Sequence, residues 1–262
     1  MYRGLVREGR QYAYRLMKFG RDRQDRRAQG TALWLLGWFD ILAEDFTAAL
    51  DHGKECIATA LAPYDQQWGR HVVGVSQLLL GRVAEGIETM EEHRQHALAN
   101  GWHYAALAAE APLGVSLLLS GHLRKGVRAL ESLVARCESE YDYRGYADWT
   151  RIFIAEFYIA LATGARKPPL RAVVKNLLFL AIAKSTAAKK AEALLRVAIQ
   201  NPQFSEQGVF RARIDFNLGL LQQAMGRSDL ARAHLALARE IAISQETPAI
   251  VAKIDAAMAS LS

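Results

Sequence analysis

The feature that constrains this chain most is a spacing of small residues shared by four segments. In residues 206–243, SEQGVFRARIDFNLGLLQQAMGRSDLARAHLALAREIA, Phe210, Ile214, Leu218, Leu221 and Met225 step by 4, 4, 3 and 4, and Ala231, Leu235, Ala238 and Ala242 by 4, 3 and 4. Each series places its side chains on one face of an α-helix. Gly226 ends the first helix, where a left-handed residue without Cβ meets no clash, and Ser228 can cap the second. Gly219 lies inside the first helix, where Gly costs about 1 kcal/mol against Ala. Close approach of a neighbouring backbone should offset that cost. The same offsets recur upstream. Gly37, Gly74 and Gly114 also follow an aliphatic residue; Glu44, Gly81 and Gly121 stand seven residues later, and Ala49, Gly86 and Gly126 five beyond those. Four registers with three shared offsets read as helical hairpins of a repeat array.

The rest of the chain divides around these registers. An amphipathic helix over 2–19, with Leu5, Val6, Tyr12, Ala13, Leu16 and Met17 on its apolar face, belongs to a basic N-terminal stretch, 1–27. Hairpins follow at 28–62, 65–99 and 102–140, with Pro112 delaying or kinking the first helix of the third. A fourth unit, 147–200, has Phe157 where Gly is expected. It carries an insertion opened by Gly164 and Pro168-Pro169, with an additional helix over 170–184. Leu177 to Ile182 is apolar on all sides, so that helix should be sandwiched between neighbours. Hairpin 206–243 comes next, and Pro248 starts a capping helix over 248–262.

Composition fits this reading. At 262 residues and 51% hydrophobic, with scarce Pro and no sustained strand-like alternation, the chain is expected to be all-α with a large core. Its longest apolar run, Leu177 to Ala183, falls far short of the roughly 20 residues a membrane span needs. Cys56 and Cys137 suit buried, reduced thiols, and a soluble, cytoplasmic protein is expected. Nine Lys/Arg against three Asp/Glu in residues 1–27 account for the whole net charge of +6. Basicity is therefore read as a property of that end.

The offsets resemble the tetratricopeptide repeat, which Leu218, Gly219, Gly226, Ala231, Leu235 and Ala238 fit position by position. More specifically, ALWLLGWFDILAEDFTAALDHG, GRVAEGIETMEEHR, ANGWHY, GHLRKGVRALESL and VFRARIDFNLGLLQQAMGR resemble the tetratricopeptide-like C-terminal region of bacterial class III adenylate/guanylate cyclases that carry an ATPase module. The units here are longer than the family's 34-residue period, and most aromatic positions of its first helix are lost. The resemblance implies a right-handed α-solenoid of tetratricopeptide-like hairpins with one inserted helix. It also implies a regulatory or sensing role in signal transduction, with the cyclase and ATPase modules absent. Met1 would then fall partway into an array, and the first helix would be the second half of a hairpin.

Chemistry-bearing motifs are few. Gly81–Gly86 and Gly121–Gly126 mimic the glycines of a phosphate loop but lack the following Lys-Ser/Thr. His93 and His96 have metal-ligand spacing, but Glu91, Glu92 and Arg94 around them suggest a solvated face. His52, His71, His103, His122 and His234 show no defensible spacing. No nucleophile or metalloprotease motif is present, so the expectation is a non-enzyme with no cofactor and no metal. Trp102-His103-Tyr104, Trp149 with Arg151, and Phe210 with Arg211 and Arg213 lie on first helices, which line the concave side of such arrays. Trp, Tyr and Arg often anchor interfaces, so these residues are the candidate contacts for a protein or peptide partner. Core packing of the aromatics and solvation of the arginines is the plainer reading. The alternative is a nucleic-acid-associated regulatory module using the basic N-terminal helix, where Tyr2, Tyr12 and Tyr14 interleave with arginines. A solvated face ranks above it. The exposed side of that helix also offers a surface for self-association.

Overall fold

The computed structural model describes residues 3–164 and 170–261, and every regular element among them is an α-helix. Tyr2 and Pro168-Pro169 lie outside the described residues. The chain forms two compact units, residues 6–116 and residues 117–261 with 3–5, and the boundary falls inside one helix. The first holds α1 (Val6–Asp22), α2 (Arg26–Leu42), α3 (Phe46–Thr59), α4 (Pro63–Leu79), α5 (Val83–Ala99), α6 (His103–Ala108) and most of α7 (Glu110–Leu119). The second holds α8 (Leu123–Ser139), α9 (Arg144–Thr163), α10 (Leu170–Lys175), α11 (Leu177–Ala198), α12 (Val209–Ala224), α13 (Ser228–Ser244) and α14 (Pro248–Ala259).

The repeated turn is built the same way each time. Glu44, Gly81, Gly121 and Gly226 all have positive φ, between 62° and 81°. The next amide donates back across the helix end: Asp45 to Asp40, Arg82 to Gln77, His122 to Leu117 and Arg227 to Gln222, all at 2.8–2.9 Å. This is the bond of a left-handed helix cap, which satisfies carbonyls that the helix itself leaves unpaired. Side-chain caps add to it where the sequence supplies them, Asp25 accepting from the Arg27 and Ala28 amides and Asp45 from Ala48. The cap of α13 is Arg227; Ser228 is already inside the helix and makes no capping bond. Only Glu44 among the four turn residues carries a Cβ into the left-handed region. Glu44→Gly is therefore expected to stabilise the protein by about 1 kcal/mol, read as a higher midpoint in urea denaturation.

Three of the interior glycines, Gly37, Gly74 and Gly219, stand at helix crossings. A Cβ on Gly37 would lie 2.6 Å from Val72 Cγ1 of α4 and 3.3 Å from the Ala49 carbonyl of α3. On Gly74 it would lie 2.6 Å from Met90 Sδ, and on Gly219 2.8 Å from Leu235 and 3.4 Å from the Ala231 carbonyl. Gly114 is buried in α7. The helix-propensity cost of Gly74 and Gly219 is thus offset by close packing within their hairpins, and that of Gly37 by packing both within its hairpin and against the next one.

The same register places a histidine that finds a carboxylate on the first helix of its hairpin, though at a different offset each time. Fifteen residues after Gly37 and Gly219 stand His52 and His234. His52 Nδ1 meets Asp40 Oδ2 at 2.7 Å, and His234 Nδ1 meets Asp215 Oδ1 at 2.8 Å. The equivalent position after Gly74 is Thr89, which donates to Gln77 Oε1 at 2.8 Å. Each carboxylate also takes an arginine: Arg10 of α1 reaches Asp40 at 2.6 Å, and Arg211, one turn earlier on α12, reaches Asp215.

Several expectations need correction. The first helix begins at Val6, and Tyr12 is exposed, outside the apolar face formed by Val6, Ala13 and Met17. Residues 3–5 instead join the second unit: Arg3 and Gly4 carbonyls accept from the Ser205 and Val209 amides at 3.1 and 2.9 Å. The expectation for Pro112, by contrast, agrees with the helix, which breaks at Ala109 between α6 and α7. The inserted helix over 170–184 is not separate from the one that follows. Its first turn is α10, and after a bend at Asn176 a single helix runs from Leu177 to Ala198. Nor is it sandwiched. It buries a small-residue stripe, Ala183, Ala187, Ala191 and Leu195, and packs against α9, leaving Leu177, Leu178 and Ile182 exposed. An all-apolar run marks a buried helix only when every face has a neighbour, and here one face lacks it.

Candidate partner-binding surface

In residues 6–116, aromatic rings from the first helices gather around Trp68 of α4. Trp34 stacks on it at 5.8 Å, and Tyr64, His71 and Tyr104 meet it at 6.1, 5.4 and 5.9 Å. Helical spacing explains the gathering, since Tyr64, Trp68 and His71 fall on one face. Trp34 also donates from Nε1 to Asp65 Oδ1 at 3.2 Å, and Thr31 shares that oxygen at 3.1 Å. Trp102 sits at the edge, 5.4 Å from Tyr64 and 5.5 Å from His96.

Beneath the rings lies a chain of hydrogen bonds. Gln67, fully buried, donates from Nε2 to His93 Nδ1 at 2.8 Å, and His93 Nε2 donates to the Ala105 carbonyl at 2.9 Å. The neutral tautomer with its proton on Nε2 satisfies both. His96 Nδ1 donates to Gln67 Oε1 at 2.8 Å. Burial pushes the His93 imidazole down to about 4 and His71 well below its ordinary value. His71, buried 5.0 Å from His93, has no hydrogen-bond partner on either ring nitrogen. His93 is therefore not on a solvated face; Glu91 and Glu92 deflected the sequence reading, although α5 turns His93 inward beside Met90 and Ala97. Among the described residues no three of His, Cys, Asp and Glu come together as a metal-ligand set.

The candidate contact residues divide between the units. Trp102 and Tyr104 are half-buried and with Tyr64 form the open rim of the ring cluster, while His103 is exposed and meets none of its rings. Trp149 and Phe210 are 4% and 2% exposed, and Phe210 stacks on Phe204 at 4.7 Å. They belong to the core of the second unit. The arginines beside them are engaged. Arg151 pairs with Asp148 and Glu138, and Arg213 with Glu156 while lying 4.9 Å over the Phe153 ring. Burial alone would raise the Glu156 carboxyl, but Arg213 and Asn217 hold it below its ordinary range. Arg211, paired with Asp215, lines two open clefts of about 290 and 310 Å³ that flank Glu206. Sequence reading missed Trp34, Tyr64, Trp68, Gln67, His71 and His93 as a group. A usable signal existed: Trp34, Trp38 and Trp68 all fall within seven residues of an interior glycine.

Compared with known proteins, the chain matches no family model, no curated protein and no solved structure. The likeness to tetratricopeptide regions of cyclases rests on the residues alone.

Proposed function

We propose that this chain is a non-catalytic, tetratricopeptide-like scaffold, its hairpins belonging to a right-handed solenoid, that binds a protein or peptide partner. By resemblance it would serve as the regulatory or sensing region of a cyclase-type bacterial signalling protein. The observation that carries the binding role is the aromatic rim, in which Tyr64 and Tyr104 meet the buried Trp68 and Trp102 meets Tyr64. Rings held in place by packing lose little entropy on contact, which is what interface anchors need. Peptides selected from a displayed library against the full chain should bind, and Tyr64→Ala with Trp102→Ala should weaken them about thirtyfold or more, as loss of an interface anchor does. Isothermal titration measures the affinity, and circular dichroism checks that the variant folds. Selected peptides that bind wild type and variant equally would remove the rim from the proposal.

The nucleic-acid alternative has less behind it. Arg10 is engaged by Asp40, Lys18 by Asp22 and Arg26 by the Thr59 carbonyl, while Arg15 and Arg23 lie over the Tyr12 and Phe19 rings.

A further inference from the structure

The second unit carries an apolar surface that the partner-binding reading does not use. Val174, Leu177, Leu178 and Ile182 are 69%, 64%, 74% and 64% exposed. On α11, residues 177, 178, 181 and 182 fall within one sector of the helix, so Ala181 continues the patch. The support beneath it is fixed. Asn176, buried at the bend, donates to the Gly121 carbonyl at 2.9 Å and the Ala172 carbonyl at 2.7 Å. Ala172 itself packs against Gly121, and the alanine stripe of α11 lies on α9. The helix that carries the exposed leucines is therefore held in place.

The charge around the patch is one-sided. From Phe157 to Ala191 the sequence has seven Lys and Arg and no Asp or Glu. Arg171, Lys175, Lys184 and Lys189 are all exposed. Zero net charge over residues 28–262 thus conceals a segregated stretch, and the basicity is not confined to the N-terminal end.

We infer that this face docks on an anionic lipid bilayer, with Leu177, Leu178 and Ile182 entering the headgroup boundary and the lysines meeting lipid phosphates and carboxylates. Large aliphatic side chains flanked by Lys, with long stems that let the ammonium reach outward, are the pattern of an interfacial helix. A second copy of this chain fits poorly, because a two-fold contact would set lysine against lysine. Protein interfaces in general deplete Lys at their centres. Insertion is shallow: after Ile182 the exposed face turns polar with Lys184, Ser185 and Lys189, and no described helix is long and apolar enough to cross a membrane.

Flotation of the full chain with phosphatidylserine/phosphatidylcholine vesicles tests this, with pure phosphatidylcholine vesicles alongside. The protein should float with the anionic vesicles, not with the neutral ones, and less so as salt rises. Lys184→Gln with Lys189→Gln should weaken partitioning on the order of twentyfold, each lysine near an anionic surface contributing roughly fivefold. Leu178→Gln with Ile182→Gln should weaken it at least as much. Both pairs change exposed side chains, and circular dichroism verifies that they fold. The inference is overturned by absence of flotation, by equal flotation on neutral vesicles, or by flotation that survives both variants. It is equally overturned if sedimentation velocity shows a dimer that the Leu178/Ile182 variant dissociates, since a second copy would then be the occupant.

Discussion

Asp215→Ala is expected to cost about 3 kcal/mol of stability, because removing one partner of a buried ion pair strands the other. The Asp215 side chain is 1% exposed and serves two groups, Arg211 on its own helix and His234 on α13. Alanine takes the shared acceptor from both, and Arg211 and His234, 27% and 31% exposed, recover only part of it from solvent. Asp215→Asn keeps the shape and one acceptor for His234, so its cost should be near 1 kcal/mol. Urea denaturation followed by circular dichroism is the right readout. Four of the five tryptophans (Trp34, Trp38, Trp68 and Trp102) lie in the other unit, so fluorescence would report mainly on that one. A cost below about 1 kcal/mol for the alanine variant would mean that solvent reaches the pair.

Acid is expected to loosen the unit of residues 6–116, and there tryptophan fluorescence is the natural probe. His93 is held near 4 by burial, and His71 is lowered by burial and by its neighbour His93. An imidazole whose folded value is depressed takes up its proton more readily when unfolded, so stability is full above about pH 6.5 and falls as pH drops toward 4. For His93 alone the loss is about 2 kcal/mol at pH 5. His52 works in the opposite sense. Its hydrogen bond to Asp40 raises it, so its contribution is complete below about 6.5 and is lost as pH rises through the folded value. His93→Gln should therefore flatten the fall in melting temperature between about pH 7 and about pH 5, and His52→Gln should steepen it. Parallel profiles for wild type and both variants would refute the assignment.

What could be read from the sequence was local. Small residues at fixed offsets announce hairpins because both the turn and the crossing depend on one or two residues each, and Gly37, Gly74, Gly219 and Gly226 stand where those offsets put them. Pro112 was legible for the same reason. The polar pair Asp40–His52 was not, because only its histidine shares a register with the other pair, and a His and an Asp twelve residues apart carry no signal until the hairpin is folded. His93 was misread because its neighbours along the chain are charged, whereas its neighbours in space are Gln67, Ala105 and aromatic rings. Leu177 to Ile182 failed differently. Hydrophobicity shows which side chains avoid water, but not whether the fold supplies a neighbour to cover them.

The short contact of Arg3 and Gly4 with Ser205 and Val209 bears on the order in which this protein can assemble as it is synthesised. Residues 6–116 are contiguous, so that unit can close while the ribosome is still translating the remainder. The other unit joins residues 3–5 to a much later segment of the chain, and it stays incomplete until Val209 has emerged. Closing so long a loop adds only a slowly growing entropic cost, but the contact cannot form before Val209 is made. Residues 3–5 must therefore wait, undocked, until the chain up to Val209 has been made.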